Sequence, residues 1–263
     1  MRLGWLFATT VLSTPFLLRG EPVAVRQPQG VLHGFLALRG QNGGVLASGE
    51  LMQSVKGAQV TSVLRFQFKD GSLHEETSVF TQRKTFRLVA YRQVQKGPAF
   101  KRPTDMQVNA KGQVTIRYTD DDGKEKTIEE RMELPADLAN GLIPILVTNV
   151  DPKAEKTTVS MLASTPKPRL VKVEISPNVG DSFSVMGATK KAQRYVAKIE
   201  IGGISGVIAP LVGKQPPDTH LWVVGGAAPG FLKSEGPLCQ DCPIWRIELA
   251  SPAWGGGKAG ASE

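Results

Sequence analysis

Alternation of apolar and polar residues with a period of two is the feature that most constrains this chain. In Val60 to Phe68, the residues Val60, Ser62, Leu64, Phe66 and Phe68 share one face, while Thr61, Arg65, Gln67 and Lys69 point the other way. A period of two belongs to a β-strand with one buried and one wetter face. Asp70-Gly71 follows at once, and Asp-Gly supplies the positive φ angles of a tight hairpin turn. The return strand runs from about Leu73 to Phe80, and another from Lys84 to Gln93 carries Phe86, Leu88, Val89 and Tyr91. Lys111-Gly112 turns into Gln113 to Thr119, and Asp121-Asp122-Gly123 turns again into Lys124 to Leu134. With Val45 to Val55 ahead of them, these runs read as a β-meander, in which neighbours in sequence are neighbours in the sheet.

The meander breaks at Leu134-Pro135-Ala136-Asp137, where a short helix over 135–147 is expected, since Pro is tolerated in a first helical turn. Gly141 and Pro144 keep it short or kinked. The segment is apolar on most sides, so it should be buried, plugging the open side or one end of a curved sheet. A second β-region covers 157–249: Thr157 to Ala163, Leu170 to Ser176, Phe183 to Met186, Tyr195 to Ile201, Leu221 to Val224 and Ile244 to Leu249. The chain carries 28 Gly and 18 Pro, mostly between apolar runs, which favours many short strands over helices. The expected fold is all-β and mainly antiparallel with one or two short helices, a curved sheet of half-barrel or barrel-like form. One domain spans 30–250, as one sheet or two packed sheets. The Gly-, Ala- and Ser-rich tail 255–263 is expected to be disordered.

The first twenty residues speak to compartment. Met1-Arg2 is positive, Leu3 to Leu18 is apolar or small throughout, and Arg19-Gly20-Glu21-Pro22 returns the chain to water. This is the pattern of a secretory signal peptide, with cleavage between Gly20 and Ala24, and the run is short for a membrane span of about 20 apolar residues. A periplasmic or secreted protein is expected, with no transmembrane span in the mature chain. Losing Arg2 and Arg19 with the leader takes the formal net charge from +8 to +6. Lys and Arg alternate with apolar residues along strands, and aromatics make up only 6% of the chain, without interleaving as stacking platforms. Nucleic acid is therefore not an expected partner.

Cys239-Gln240-Asp241-Cys242 is the sharpest local motif. Cys-x-x-Cys serves as a redox pair, half a zinc site or a disulfide. Zinc needs two further ligands, and His33, His74 and His220 have no partner spacing. Gly236-Pro237 before the pair and Pro243 after it make the segment a loop rather than the helix start of a redox motif. A small structural disulfide between Cys239 and Cys242 is the expectation for an oxidising compartment. Asp218-x-His220 is a candidate for acid–base chemistry in a hydrolase or isomerase, set against the plainer reading of a strand start. Gly203-Ile204-Ser205-Gly206 lacks the spacing of a nucleophile elbow. Asp120-Asp121-Asp122-Gly123 lacks the ligand spacing of a calcium loop. No catalytic residue, metal ligand or cofactor is assigned.

A ligand is the alternative to chemistry. Helix residues Leu142 and Ile145, with Trp222, Phe231 and Trp245 on the later strands and loops, are expected to line an apolar hollow; the Gly-rich run Gly202 to Gly213 and Trp254 belong to the same apolar group. The organisation over Val31 to Leu249 (leader, long meander with Asp-Gly hairpins, short Pro-flanked apolar helix, further strands) resembles the half-barrel proteins of the Gram-negative periplasm, among them the lipoprotein carriers LolA and LolB. That resemblance implies an apolar ligand such as a lipid, or an envelope protein partner, held in a curved sheet. It is architectural and transfers no single residue. LolB is lipid-anchored, whereas this chain has no Cys near its leader. The readings at this point are a non-enzymatic binding protein, an enzyme using Asp218 and His220, and a structural module of the envelope.

Overall fold

The computed structural model describes residues 20–151, 153–163, 167–200 and 216–252. The expected leader up to residue 19, the 201–215 run with Gly203 to Gly206, and Trp254 with the C-terminal tail lie outside the described residues. The strands are β1 (Leu32–Arg39), β2 (Val45–Lys56), β3 (Gln59–Phe68), β4 (Leu73–Gln82), β5 (Phe86–Lys96), β6 (Thr104–Asn109), β7 (Gln113–Thr119) and β8 (Glu125–Arg131). After α1 (Ile143–Leu146) come β9 (Thr157–Ala163), β10 (Arg169–Val185), β11 (Ala188–Glu200), β12 (Thr219–Val224), β13 (Gly230–Gly236) and β14 (Trp245–Leu249). These fourteen form one sheet in the order β8 down to β1, then β14 down to β9. The chain thus starts at the centre, steps outward to the β8 edge, crosses to the β9 edge and steps back to pair β14 with β1.

The faces predicted by alternation are the faces found. Val60, Phe66 and Phe68 of β3 are buried, and each fully buried Phe such as Phe66 contributes about 1.5–3 kcal/mol. Val60, Phe80 and Phe86 share one cluster with Val173 and Ile175 of β10, Tyr195 of β11, and Leu221 and Val223 of β12. Strands so far apart in the order meet only if the sheet curves around that cluster. A second cluster joins Leu36, Leu38, Phe66, Phe68, Phe100 and Trp245 at the centre. In a third, Leu138 and Leu162 of β9 pack with Met106, Val108, Val114 and Ile116 of β6 and β7. The β9 edge is therefore tucked against the concave wall near the opposite edge, and the sheet is strongly curved without closing.

The crossing segment differs from the expected helix over 135–147. Only Ile143–Leu146 is helical, and Pro144 lies in the first turn of that short helix, so it opens the helix instead of kinking it. Leu138 to Asn140 is drawn instead to the β9 edge. Leu138 bridges Ser160, and Ser160 donates to the Asp137 carbonyl at 3.2 Å while the Ala139 N–H donates back at 2.8 Å. The Asn140 side chain then acts as a strand would: its Oδ1 accepts from the Leu162 N–H at 2.8 Å and its Nδ2 donates to the Leu162 carbonyl at 2.9 Å. Gly141 follows at φ +68°, where a Cβ would collide with Ser78 Oγ. The β8 edge is protected differently, by charge: Glu125, Lys126, Glu129, Glu130 and Arg131 are all exposed.

Four further differences concern strands. β1 escapes sequence reading because it carries Gly34 and buries three successive residues, Leu36 to Leu38, rather than alternate ones. β6 and β13 escape it because both are short and half polar, and β13 has Gly at each end. The two runs expected at Leu170 to Ser176 and Phe183 to Met186 are one 17-residue strand, β10, whose register shifts between Asn178 and Asp181 to absorb Gly180.

Replacing Asn140 by Ala leaves the buried N–H and carbonyl of Leu162 unpaired. The expected loss is about 1–3 kcal/mol in urea unfolding, with the sheet's circular dichroism retained. A change below about 0.5 kcal/mol would show that backbone relaxation replaces the amide.

Candidate functional site

The concave face carries a polar row inside its apolar wall. On β4 the inward positions His74, Glu76 and Ser78 stand directly opposite Phe66, Leu64 and Ser62 of β3. On the other side they face Gln95, Gln93 and Tyr91 of β5. Strand pairing alone therefore gathers Glu76, Gln93, His74, Gln95 and Tyr91 into one patch. His74 is 0% exposed, and Gln95 and Tyr91 are each 4% exposed. The Glu76 side chain keeps 17%, turned into a hollow.

The hydrogen bonds of the patch fix its charge. Gln95 Nε2 donates to the Leu238 carbonyl at 2.7 Å and approaches His74 Nδ1 at 3.0 Å. The amide nitrogen has two hydrogens and no acceptor capacity, so Nδ1 accepts and the ring is neutral, with its proton on Nε2. That Nε2 lies 3.2 Å from Glu76 Oε1 and has no aligned acceptor. Gln93 Nε2 donates to the same oxygen at 3.3 Å, and the Tyr91 hydroxyl also bonds the carboxylate. Burial pushes the Glu76 carboxyl up, but the contact with His74 and the hydrogen bonds from Gln93 and Tyr91 outweigh it, and its pKa lies below the ordinary value. Burial, followed by the neighbouring carboxylate, pushes the Tyr91 hydroxyl well above 10.

Glu76, Tyr91 and Gln93 form the polar floor of a cavity of about 260 Å³. Met106, Met161, Leu162 and Val171 supply apolar wall, Asn140 and Gly141 close one side, and Arg169 stands at its rim. Leu238 and Cys239 cover another side. Cys239 and Cys242 are at disulfide distance, with Cα atoms 5.0 Å apart. Their loop separates this cavity from a neighbouring hollow beside Arg102 and Tyr118.

The residues expected to line a hollow lie elsewhere. Leu142 and Ile145, on the crossing segment, are buried in the core and not in the cavity wall. Trp245 is packed at the centre, edge-on to Phe100 at 6.1 Å between ring centres, and Phe231 packs against the same cluster. Leu221 and Val223 take the concave face, which turns Trp222 to the convex one. There Lys233 Nζ sits 3.9 Å over its ring and its indole N–H donates to Asp181. His220 shares that convex side with Trp222. Its Nδ1 is buried without a partner, and among the described residues no carboxylate lies within ion-pair distance of it. Among those residues no cluster of three or more His, Cys, Asp or Glu side chains is placed to hold a metal, and no helix is long and apolar enough to cross a membrane.

The site that sequence reading missed left one trace. Along β4 the inward positions read His74, Glu76, Ser78 opposite Phe66, Leu64 and Ser62 of β3, so polarity enters a face that β3 keeps largely apolar. The chain matches no family model, and neither the curated proteins nor the solved structures contain a match to it.

Tyr91 should be the last of the three tyrosines to ionise. Its folded pKa lies above the unfolded one, so its contribution to stability is present below about pH 10 and is lost as pH rises through the folded value. Phenolate absorbance in an alkaline titration should show a late step that Tyr91→Phe removes. Three tyrosines titrating together near pH 10 would contradict the buried contact with Glu76.

Proposed function

We propose that this chain is an exported, non-enzymatic binding protein that holds a small amphipathic molecule in the concave hollow of its sheet. The observation that carries the reading is the cavity itself: an apolar wall of Met106, Met161, Leu162 and Val171 above a convergent floor of Glu76, Tyr91 and Gln93. Apolar enclosure with a few placed polar groups is the common form of a small-molecule site. At about 30 Å³ per water-sized group, a hollow of about 260 Å³ takes the equivalent of roughly nine. That suits a short apolar chain with a polar end rather than a whole lipid. The strongly curved open sheet and its resemblance to the periplasmic half-barrels support the same role. Export is supported by the leader pattern of the first twenty residues and by the paired cysteines.

Binding of a neutral apolar fluorophore such as N-phenyl-1-naphthylamine tests the proposal. Its emission should rise with the wild type, and Val171→Phe, which fills the cavity from β10, should weaken binding by roughly tenfold or more, about 1.4 kcal/mol. The same variant should keep the far-UV spectrum of the wild type. No binding by a folded wild type would overturn the reading in favour of a structural module. Where the probe binds, native mass spectrometry of protein purified from its own envelope fraction names the ligand.

A further inference from the structure

Resting on that reading, we propose that the polar end of the ligand is a primary ammonium group, received by Glu76 at the cavity floor. The argument begins with what Glu76 lacks. Its neighbour Glu75 turns outward and pairs with Arg65, as Asp105 pairs with Arg92 and Asp151 with Arg26. The inward Asp137 pairs with Lys172, whereas Glu76 points inward and among the described residues its one charge-capable contact is His74. The donation from Gln95 keeps that ring neutral. A carboxylate thus stands in a largely apolar enclosure with no cation against it.

Acceptor capacity leads to the same conclusion. A carboxylate has about four lone-pair positions. Gln93, Tyr91 and the Nε2–H of His74 occupy three at most, and two of those contacts are long, at 3.3 Å and 3.2 Å. The remaining capacity faces the hollow, where the side chain keeps its exposure. The hydrogen bonds from Gln93 and Tyr91 favour the ionised form and bring no charge of their own. They do not neutralise it. A buried charge held ionised yet unpaired is the arrangement expected of a site that completes itself with a charged partner. An ammonium brings the missing charge and up to three donors, and charge-assisted bonds of that kind are roughly twice as strong as neutral ones. The apolar chain behind it would lie along Met106, Met161 and Val171.

Arg169 at the rim supplies the opposing expectation. If it reads the polar end, the ligand is an acid and the amine is disfavoured.

Competition against the naphthylamine probe, using decylamine, decanol and decanoate, separates these outcomes. Decylamine should displace the probe at least about tenfold more effectively than decanol, with decanoate the weakest. Glu76→Gln should bring decylamine to the level of decanol while leaving decanol unchanged. A short-chain phosphatidylethanolamine, which carries the same ammonium beyond a phosphate, competes as well if the natural source is a lipid headgroup and fails if it is a simple amine. Equal displacement by decylamine and decanol would overturn the inference while leaving the binding function standing. Stronger displacement by decanoate would overturn it in favour of Arg169. Absence of probe binding would instead remove the reading beneath it. The series on the wild type decides the matter even if the Glu76→Gln protein does not fold.

Discussion

A sheet of fourteen strands that does not close has two unpaired edges and one apolar hollow, and the segment from Pro135 to Val150 answers for most of this. Because β1 and β14 meet at the centre, the chain must travel from the β8 edge to the β9 edge, and the route available is across the concave face. On that route Leu142, Ile145, Leu146 and Val147 fill the hollow against β3–β5 and β10–β12. Asp137 to Asn140 then satisfies the β9 edge. Asp137 is nearly inaccessible, and its carboxylate accepts from Ser160 Oγ and from Lys172 Nζ at 3.1 Å. Buried pairs of this kind add little net stability, but losing one partner costs about 3–5 kcal/mol because a bare charge is left inside. The segment is thereby held in a single register on β9. That register aims Asn140 and Gly141 into the cavity and sets the cavity's size.

The N-terminal stretch secures the other end of the same segment. Asn149, just past the helix, accepts at Oδ1 from the backbone N–H groups of Arg26 and Gln27, and its Nδ2 donates to the Ile145 carbonyl in the helix. Val25 and Phe86 exchange backbone bonds with Lys84 and Val23 across the β4–β5 turn. Residues directly after the expected cleavage point are thus built into the wall, and the short helix is pinned by two asparagines, one at each end. One turn of helix is too short to persist alone; the packing of its apolar side and these two amides hold it.

Legibility in the sequence followed the range of each interaction. Local patterns were readable: the alternation in β3 and β7, and the hairpins at Asp70-Gly71, Lys111-Gly112 and Asp122-Gly123, whose glycines all take positive φ. The all-β antiparallel class followed from them. The pairing of β1 with β14 joins residues more than two hundred positions apart, and no local signal marks it. The helix was overcalled because the 135–147 run is apolar in composition, while the competing partner for its first half, the β9 edge, lies beyond the local window. The site was the least legible. Its members come from β4 and β5 by register, and register places a polar residue in a cavity only once the curvature of the whole sheet is known. Trp222 and Trp245 drew attention by size, but Trp222 is satisfied by Asp181 and Lys233 on the convex side, and Trp245 serves packing.

The Gln95 amide ties these parts to one another. One of its hydrogens holds the Leu238 carbonyl, and so the position of the loop that carries Cys239; the other fixes the His74 tautomer. The cystine loop therefore does more than cover the hollow: through Gln95 it is tied to the His74 ring, whose Nε2 lies 3.2 Å from Glu76 Oε1. The short disulfide, whose cysteines pack with Phe100 and Trp245, fixes the shape of that loop. The link between a surface loop and an interior charge runs through a single side chain with 4% of its surface exposed.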